Sequence, residues 1–452
     1  MTRTATSAAI ALALALSATA TACGGSDAEK QADAGPVTIT VNNMPPSTAP
    51  VERKHFLDDV AEFETKNPKI KLVPKEGKMD PQTFSAKLAG GQLENVFYVY
   101  FTDPAGLIAR HQVAPISPYL SGFPQVKQIK PDLLKVFSDP KGKLYGLPEG
   151  NYSMGLVYNR ALFTKAGLDP DSPPTTWEQL REDAKKISAL GDGVVGYGDY
   201  SKAGTGGWHF AAELNARGGD VARKGTSGRW TSAFDNPTGL QVLQQLHDMR
   251  WTDGSMGRRQ LLEWADLLQM MGAGKLGMYL ATADNIPTIT EQYKGDAKDY
   301  GLAPVPAATA ALGGGAGYMF NPKDTPAQIK AGLAWLTFKY TNPDRIAVNI
   351  ERTATDKQPV GLPEPNIWTG TAGQTFAKLQ AEHANVPIGN YTPFVNAAPK
   401  IPVKLEPPNA QKIYAVLDTV MAKVLTDRNA DMAGLLGSAE KQVNTILSAV
   451  IQ

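Results

Sequence analysis

Residues 143–180 read KLYGLPEGNYSMGLVYNRALFTKAGLDPDSPPTTWEQL. The stretch predicts an extended crossing, a strand, a short helix, a proline-rich turn and a capped helix. Leu156, Val157 and Tyr158 form an apolar, β-prone run, which Asn159 and Arg160 end. Gly167 closes the short helix that follows, because glycine takes the left-handed turn at low cost. Pro173 and Pro174 keep helix out of the linker. Thr175 and Glu178 stand at capping-box spacing ahead of a helix over 176–190.

These residues resemble the extracellular solute-binding proteins of sugar ABC importers, the maltodextrin-binding-like family. The family pattern is close to Y-G-x-P, an apolar run ending Y-N, a Leu-Phe pair and P-x-T-W-x-E-L. Here Tyr145, Gly146, Pro148, Tyr158, Asn159, Leu162, Phe163, Pro174, Thr176, Trp177 and Leu180 match it in order. The resemblance implies an α/β, two-lobed periplasmic-binding-protein-like fold of type II with multiple inter-lobe crossings, this stretch holding the first. The expected N-terminal lobe is 37–151 with 317–361, and the C-terminal lobe 152–316 with 362–452.

Bulk properties agree with a two-lobed body. A chain of 452 residues exceeds one ordinary core. Apolar residues at 42% and charged residues at 20% fit a globular protein. The net charge of +1 argues against nucleic acid or an acidic membrane held by charge. Cys23 is the only cysteine, so neither an intrachain disulfide nor a cysteine-based metal site can form.

The N-terminus reads as a leader. Arg3 precedes an apolar run, Ala8 to Ala18, which is shorter than the ~20 residues a membrane span needs. Ala20-Thr21-Ala22-Cys23 resembles a lipoprotein signal-peptidase site, with Ala20 where that pattern prefers Leu. The expectation is a signal peptide over 1–22, lipidation of Cys23 and a flexible tether over 23–36 (GGSDAEKQADAG within it). Unlipidated secretion after Ala22 is the alternative.

The fold proper is expected from Val37. VTITVNN alternates as a strand, helix 52–66 buries Phe56, Leu57, Val60 and Phe63, and Ile70–Val73 makes a second strand, together a parallel α/β unit. A helix over 84–93 and the VFYVY strand (96–100) follow, with Asp103 just beyond the strand's C-terminal end, where ligands bind in open α/β sheets. The helix expected over 104–111 ends at His111-Gln112, where the family usually has Gly. Gly313–Gly317 reads as a flexible run at the second crossing, and the third is expected near 360–363.

A sugar receptor needs aromatic rings for C–H faces and polar groups for hydroxyls, converging between lobes. Candidate ligand-binding residues are Asn43, Tyr100, Asp103, Glu149, Tyr152, Trp208, Asp284 and Tyr318. By the resemblance, Trp208 stacks on sugar while Tyr100 and Asp103 bind hydroxyls. The bland readings are a core Trp208, a helix-capping Asp103, hinge packing for Glu149 and Tyr152, and a surface turn for Asn43. Asp284 and Ala316 occupy places where many relatives carry Trp, which implies fewer stacking platforms and a more polar cleft. Trp368 is a weaker candidate. Trp177, Trp264 and Trp335, at helical positions, read as packing residues, and His209 as a packed or exposed neighbour of Trp208.

Other chemistry is quiet. Five scattered histidines form no HExxH pattern, and no GxSxG or P-loop is present. The expectation is a monomeric receptor that is not an enzyme and uses no cofactor or metal. Its partners would be a sugar-like small molecule, an ABC permease and, through the lipid anchor, the extracellular face of the membrane. The rival readings are an extracellular carbohydrate-active enzyme, with Asp103 and Asp284 as its carboxylate pair, and a receptor for a non-sugar solute.

Overall fold

The computed structural model describes residues 35–80 and 83–450. Cys23 and the leader over 1–22 lie outside the described residues, as does the tether up to residue 34. From Pro36 onward the chain packs as one unit. Its strands are β1 (Val37–Met44), β2 (Ile70–Glu76), β3 (Val96–Tyr100), β4 (Gly146–Ser153), β5 (Gly155–Asn159), β6 (Val195–Tyr197), β7 (Ala222–Lys224), β8 (Trp230–Ser232), β9 (Leu276–Ala281), β10 (Tyr300–Ala303), β11 (Ala311–Phe320) and β12 (Val403–Leu405).

The first lobe is built on the sheet β12-β11-β3-β1-β2, with β4 also paired to β11. β1 runs parallel to β2 and to β3, as the strand-helix-strand pattern predicts. The helix between β1 and β2, Pro50–Lys66, buries Phe56, Val60 and Phe63. Leu57, expected on that face, is instead 43% exposed, because one residue beyond Phe56 turns it about 100° off the apolar stripe. Trp335 of helix Pro326–Lys339 meets Phe56 and Phe63 edge-on, with ring centroids 5.7 and 5.4 Å apart. Full burial of each such ring contributes about 1.5–3 kcal/mol. Beside them the buried Asp59 carboxylate accepts from Lys339 at 2.7 Å, Arg345 at 2.7 Å and Arg352 at 2.6 Å.

The second lobe is built on β10-β5-β9-β6, with β7 and β8 as a separate hairpin. One apolar cluster, containing Leu156, Trp177, Phe210 and Tyr414, covers one side of this sheet. Another, containing Val157, Leu267, Ile286 and Phe394, covers the other side. Helix Trp177–Ser188 is closed by a capping box of Thr176 and Gln179. The box therefore sits one residue later than Thr175 and Glu178: Gln179 Oε1 also accepts from the Thr175 amide, which fixes the frame.

Packing divides the range 362–452, which the sequence reading placed wholly in the second lobe. Ile367, Trp368 and Ala372 join the core of the first lobe, whereas Leu362 touches the second lobe and Val386 is buried there. Trp368 is thus a core residue and not a ligand candidate. The helix expected over 104–111 is Pro104–Ala109. His111 takes a left-handed φ of 55° just beyond it, doing with an L-residue what the family does with Gly.

Two strands carry the chain between lobes. β11 pairs antiparallel with β3 through Ala316–Phe320 and with β4 through Gly313–Met319. The glycine run is therefore strand, not a flexible loop. A Cβ at Gly314 would collide with Tyr152, at Gly315 with Gly150 and Phe101, and at Gly317 with Leu147 and Phe137. Glycine is required because neighbouring backbone and rings already fill the space.

Candidate functional site

Where β4 and β11 cross, a cavity of about 550 Å³ opens between the lobes. Gly150 and Asn151 of β4 and Gly315 and Ala316 of β11 are part of its lining.

The first lobe contributes Asn43, Lys78, Tyr98 and Tyr100. Tyr98 and Tyr100 are two apart on β3 and so share a face; their rings meet edge-on at 5.3 Å. Lys78 Nζ lies 4.8 Å from the Tyr98 ring centre. Asn43 has φ 68° in the irregularity of β1 between Val41 and Met44. Its Nδ2 donates to Tyr318 Oη at 2.8 Å, and that hydroxyl donates to Tyr340 Oη at 2.8 Å.

The second lobe presents two tryptophans. Helix Thr205–Ala216 approaches helix Ala410–Thr426 so closely that a Cβ on Gly207 would strike the Tyr414 main chain. The Asp418 carboxylate accepts from the amides of Gly204 and Gly207, the latter at 3.0 Å. This clamp fixes the first turn of the helix and directs Trp208 to the cavity, edge-on to Tyr152 at 5.9 Å. Behind Trp208, His209 is fully buried with Nδ1 2.6 Å from Asp199 Oδ1. Trp264 begins helix Trp264–Gly272, is 37% exposed and donates from Nε1 to Asn285 Oδ1 at 3.3 Å. Thr282 Oγ1 donates to the Asp284 carboxylate.

Four carboxylates line the cavity: Glu149, Asp284, Glu364 and Glu406. Glu406 accepts from Tyr152 Oη at 3.3 Å. Burial pushes the Glu406 carboxyl up to about 7. Glu364 and Asp284 are exposed side chains of the lining; partial desolvation by the surrounding protein, followed by the nearby Asp284 charge, pushes Glu364 up to about 8. Burial raises Glu149 as well, against the attraction of Lys78 and Lys339.

The sequence pattern of bacterial extracellular solute-binding proteins matches residues 49–344. The chain belongs to that family. A Brucella abortus (strain 2308) relative, named simply as a binding protein, is 27% identical over 287 residues, 61% of this chain and 64% of its own. The sn-glycerol-3-phosphate-binding periplasmic protein of Escherichia coli (strain K12) is 32% identical over 143 residues, 30% of this chain and 33% of its own. The chain thus spans just under two thirds of the length of the first of these relatives. Among solved structures, an ABC transporter solute-binding protein of Thermotoga lettingae bound with alpha-D-tagatose superposes with a TM-score of 0.73 at 22% identity, covering 91% of this chain and 99% of that one. UgpB of Mycobacterium tuberculosis, in complex with glycerophosphocholine, gives 0.69 at 18% identity, covering 92% and 100%. These likenesses establish the two-lobed fold.

In this solute-binding protein, Asn43, Tyr100, Glu149, Tyr152, Trp208 and Asp284 line one cavity. Asp103 and Tyr318 do not. Asp103 is half-buried and turns back to accept from the Tyr100 amide at 3.1 Å; burial pushes its carboxyl up to about 6. Tyr318 stands behind Asn43, stacked on Tyr340 at 4.9 Å. Trp264 is the main correction: read as a packing residue, it lines the cavity and supplies an aromatic ring near Asp284. Glu364, Glu406 and Tyr414 also line it and were not singled out. The weak signals were the Pro-Glu-Pro at 363–365 and the isolated Glu406 before Pro407 and Pro408, acids in extended segments with no helix to occupy. Among the described residues no group of three or more His, Cys, Asp or Glu side chains is placed to hold a metal, and no helix is long and apolar enough to cross a membrane.

Proposed function

We propose that this chain captures an oligosaccharide or related polyhydroxylated solute between its lobes and hands it to an ABC permease, tethered to the outer face of the membrane by lipid on Cys23. The supporting observation is the convergence of Tyr100, Tyr152, Trp208 and Trp264 with carboxylates and amides from both lobes in one cavity. Rings cover C–H faces and the polar groups take hydroxyls. Contacts from both lobes give the closed state its differential affinity, which is what lets ligand drive closure. Relatives solved with tagatose and with glycerophosphocholine share the fold.

Two rivals are less well supported. The carboxylate pair suggested for a glycosidase, Asp103 with Asp284, is not formed across the cavity, since Asp103 does not line it. A phosphate-bearing solute, as the name of the Escherichia coli relative gives for that protein, would meet four carboxylates and one lysine here. The test is a thermal-shift screen of the mature protein over mono- and oligosaccharides, polyols and glycerol phosphodiesters. A shift with sugars or polyols is expected. A shift confined to phosphodiesters, or release of cleaved product, overturns the reading.

A further inference from the structure

We infer that the cleft selects an amino-substituted sugar, a polyol bearing at least one ammonium group, over its neutral and acidic counterparts. This rests on the reading of the cleft as a polyol receptor. The four lining carboxylates come from four separate places: Glu149 on the crossing strand β4, Asp284 after β9, Glu364 in the extended segment between the lobes and Glu406 after β12. No single acidic run explains them; the fold gathers them. Among the described residues Lys78 is the one cation in the lining, and it lies against the rings of Tyr98 and Tyr100, 4.8 and 6.0 Å from their centres. No arginine among the described residues lines the cavity, so none of them brings to it the planar fork that recognises carboxylate or phosphate.

Gathering four carboxyls in one cleft opposes their ionisation, and near neutral pH Glu364 and Glu406 keep protons in the unliganded cleft. A ligand carrying positive charge removes that opposition, whereas a neutral sugar leaves it in place and an acidic one adds to it. A second observation marks where the charge would sit. Tyr414 is 1% exposed, lines the cavity, and its Oη has no hydrogen-bond partner of good geometry; Trp208 Nε1 is likewise buried and unpartnered. Together with Tyr152, whose Oη donates to Glu406, these residues make an aromatic corner around a carboxylate. An ammonium there gains the carboxylate and the ring faces.

The experiment is titration calorimetry of the mature protein at pH 6.5 with matched trios: glucose, glucosamine and glucuronate, and the corresponding galacto and manno sets. On the skeleton that binds best, the amino sugar is expected to bind at least tenfold tighter than the neutral one and the uronate weakest. The ratio should shrink at high salt. Glu364→Gln and Glu406→Gln, each checked for an unchanged circular dichroism spectrum, should each cut the amino-to-neutral ratio severalfold. Neutral sugar binding as tightly as its amino partner overturns this inference and leaves the polyol reading standing. A cleft that binds none of the nine overturns both.

Discussion

Glu291 of the second lobe accepts a hydrogen bond from the Val51 amide of the first, at 3.1 Å. Val51 lies in the first turn of helix Pro50–Lys66, where amides have no partner within the helix. Glu52 is beside it, and the outer carboxylate oxygens of Glu52 and Glu291 are both buried without a partner. Burial, then the contact with Glu291, pushes the Glu52 carboxyl up to about 7. The remaining charged neighbours are otherwise engaged: Lys294 Nζ donates to the Glu291 carbonyl, and Arg53 to Glu76 and the Pro45 carbonyl. Making this contact should therefore take up a proton. Its advantage is complete below the ordinary glutamate range and is lost as pH rises through about 7. Small-angle scattering from pH 5 to 8 should show the ligand-free protein opening as pH rises, and Glu52→Gln should flatten that response. An unchanged response in the variant would remove the pair from the mechanism.

Trp264 and Trp335 should separate binding from stability. Trp264→Ala removes a partly exposed ring from the cleft wall, so apo stability should fall by no more than about 1 kcal/mol while the ligand-induced thermal shift disappears. Trp335 is 1% exposed between Phe56 and Phe63, and Trp335→Ala should cost about 3–5 kcal/mol. Urea melts with and without ligand measure both.

Asp59 anchors three cations of the first lobe. Burial alone would raise its carboxyl, but the hydrogen bonds of Arg352 and the charge of Lys339 hold it below the usual aspartate range. Its stabilisation is present above that range and lost as pH falls through the lower folded value. Asp59→Ala leaves Lys339 buried without its ion-pair partner and Arg345 with Glu62 alone, and should cost about 3–5 kcal/mol by urea denaturation at pH 7.

Two glycines on paired crossing strands give a contrast. Gly150→Ala meets nothing within 4 Å and should leave the melting point within a degree or two. Gly315→Ala drives a methyl into the Gly150 carbonyl and the Phe101 ring and should cost about 1–3 kcal/mol. Equal melting points for the two variants would show that the crossing strands yield freely.

The parallel α/β order, the first crossing and the core of helix Pro50–Lys66 were legible because periodicity and capping are local. So were Tyr152 and Trp208, which sit on or near landmarks of the family pattern. Trp264 was not: its place at the start of a helix looks the same whether the ring faces core or cleft, and the choice is made by Asn285, twenty-one residues away. Glu364 and Glu406 were invisible for a similar reason, since only tertiary packing brings those extended segments to the cavity. The glycine run misled in the opposite direction. Its composition suggests freedom, but long-range crowding by Tyr152, Phe101 and Leu147 makes it strand.

The peptide that Gly315 and Ala316 present to the cleft has an outcome for how such a site could be altered. Those two residues offer a guest little beyond amides and carbonyls, so discrimination falls to the side chains of β4 and of the segments around it. Trp264, Asp284 and Glu364 stand on helix starts and connecting segments, off the two crossing strands. On the proposed reading of the cleft, exchanging these three should change which solute is held while the paired crossing strands stay as they are.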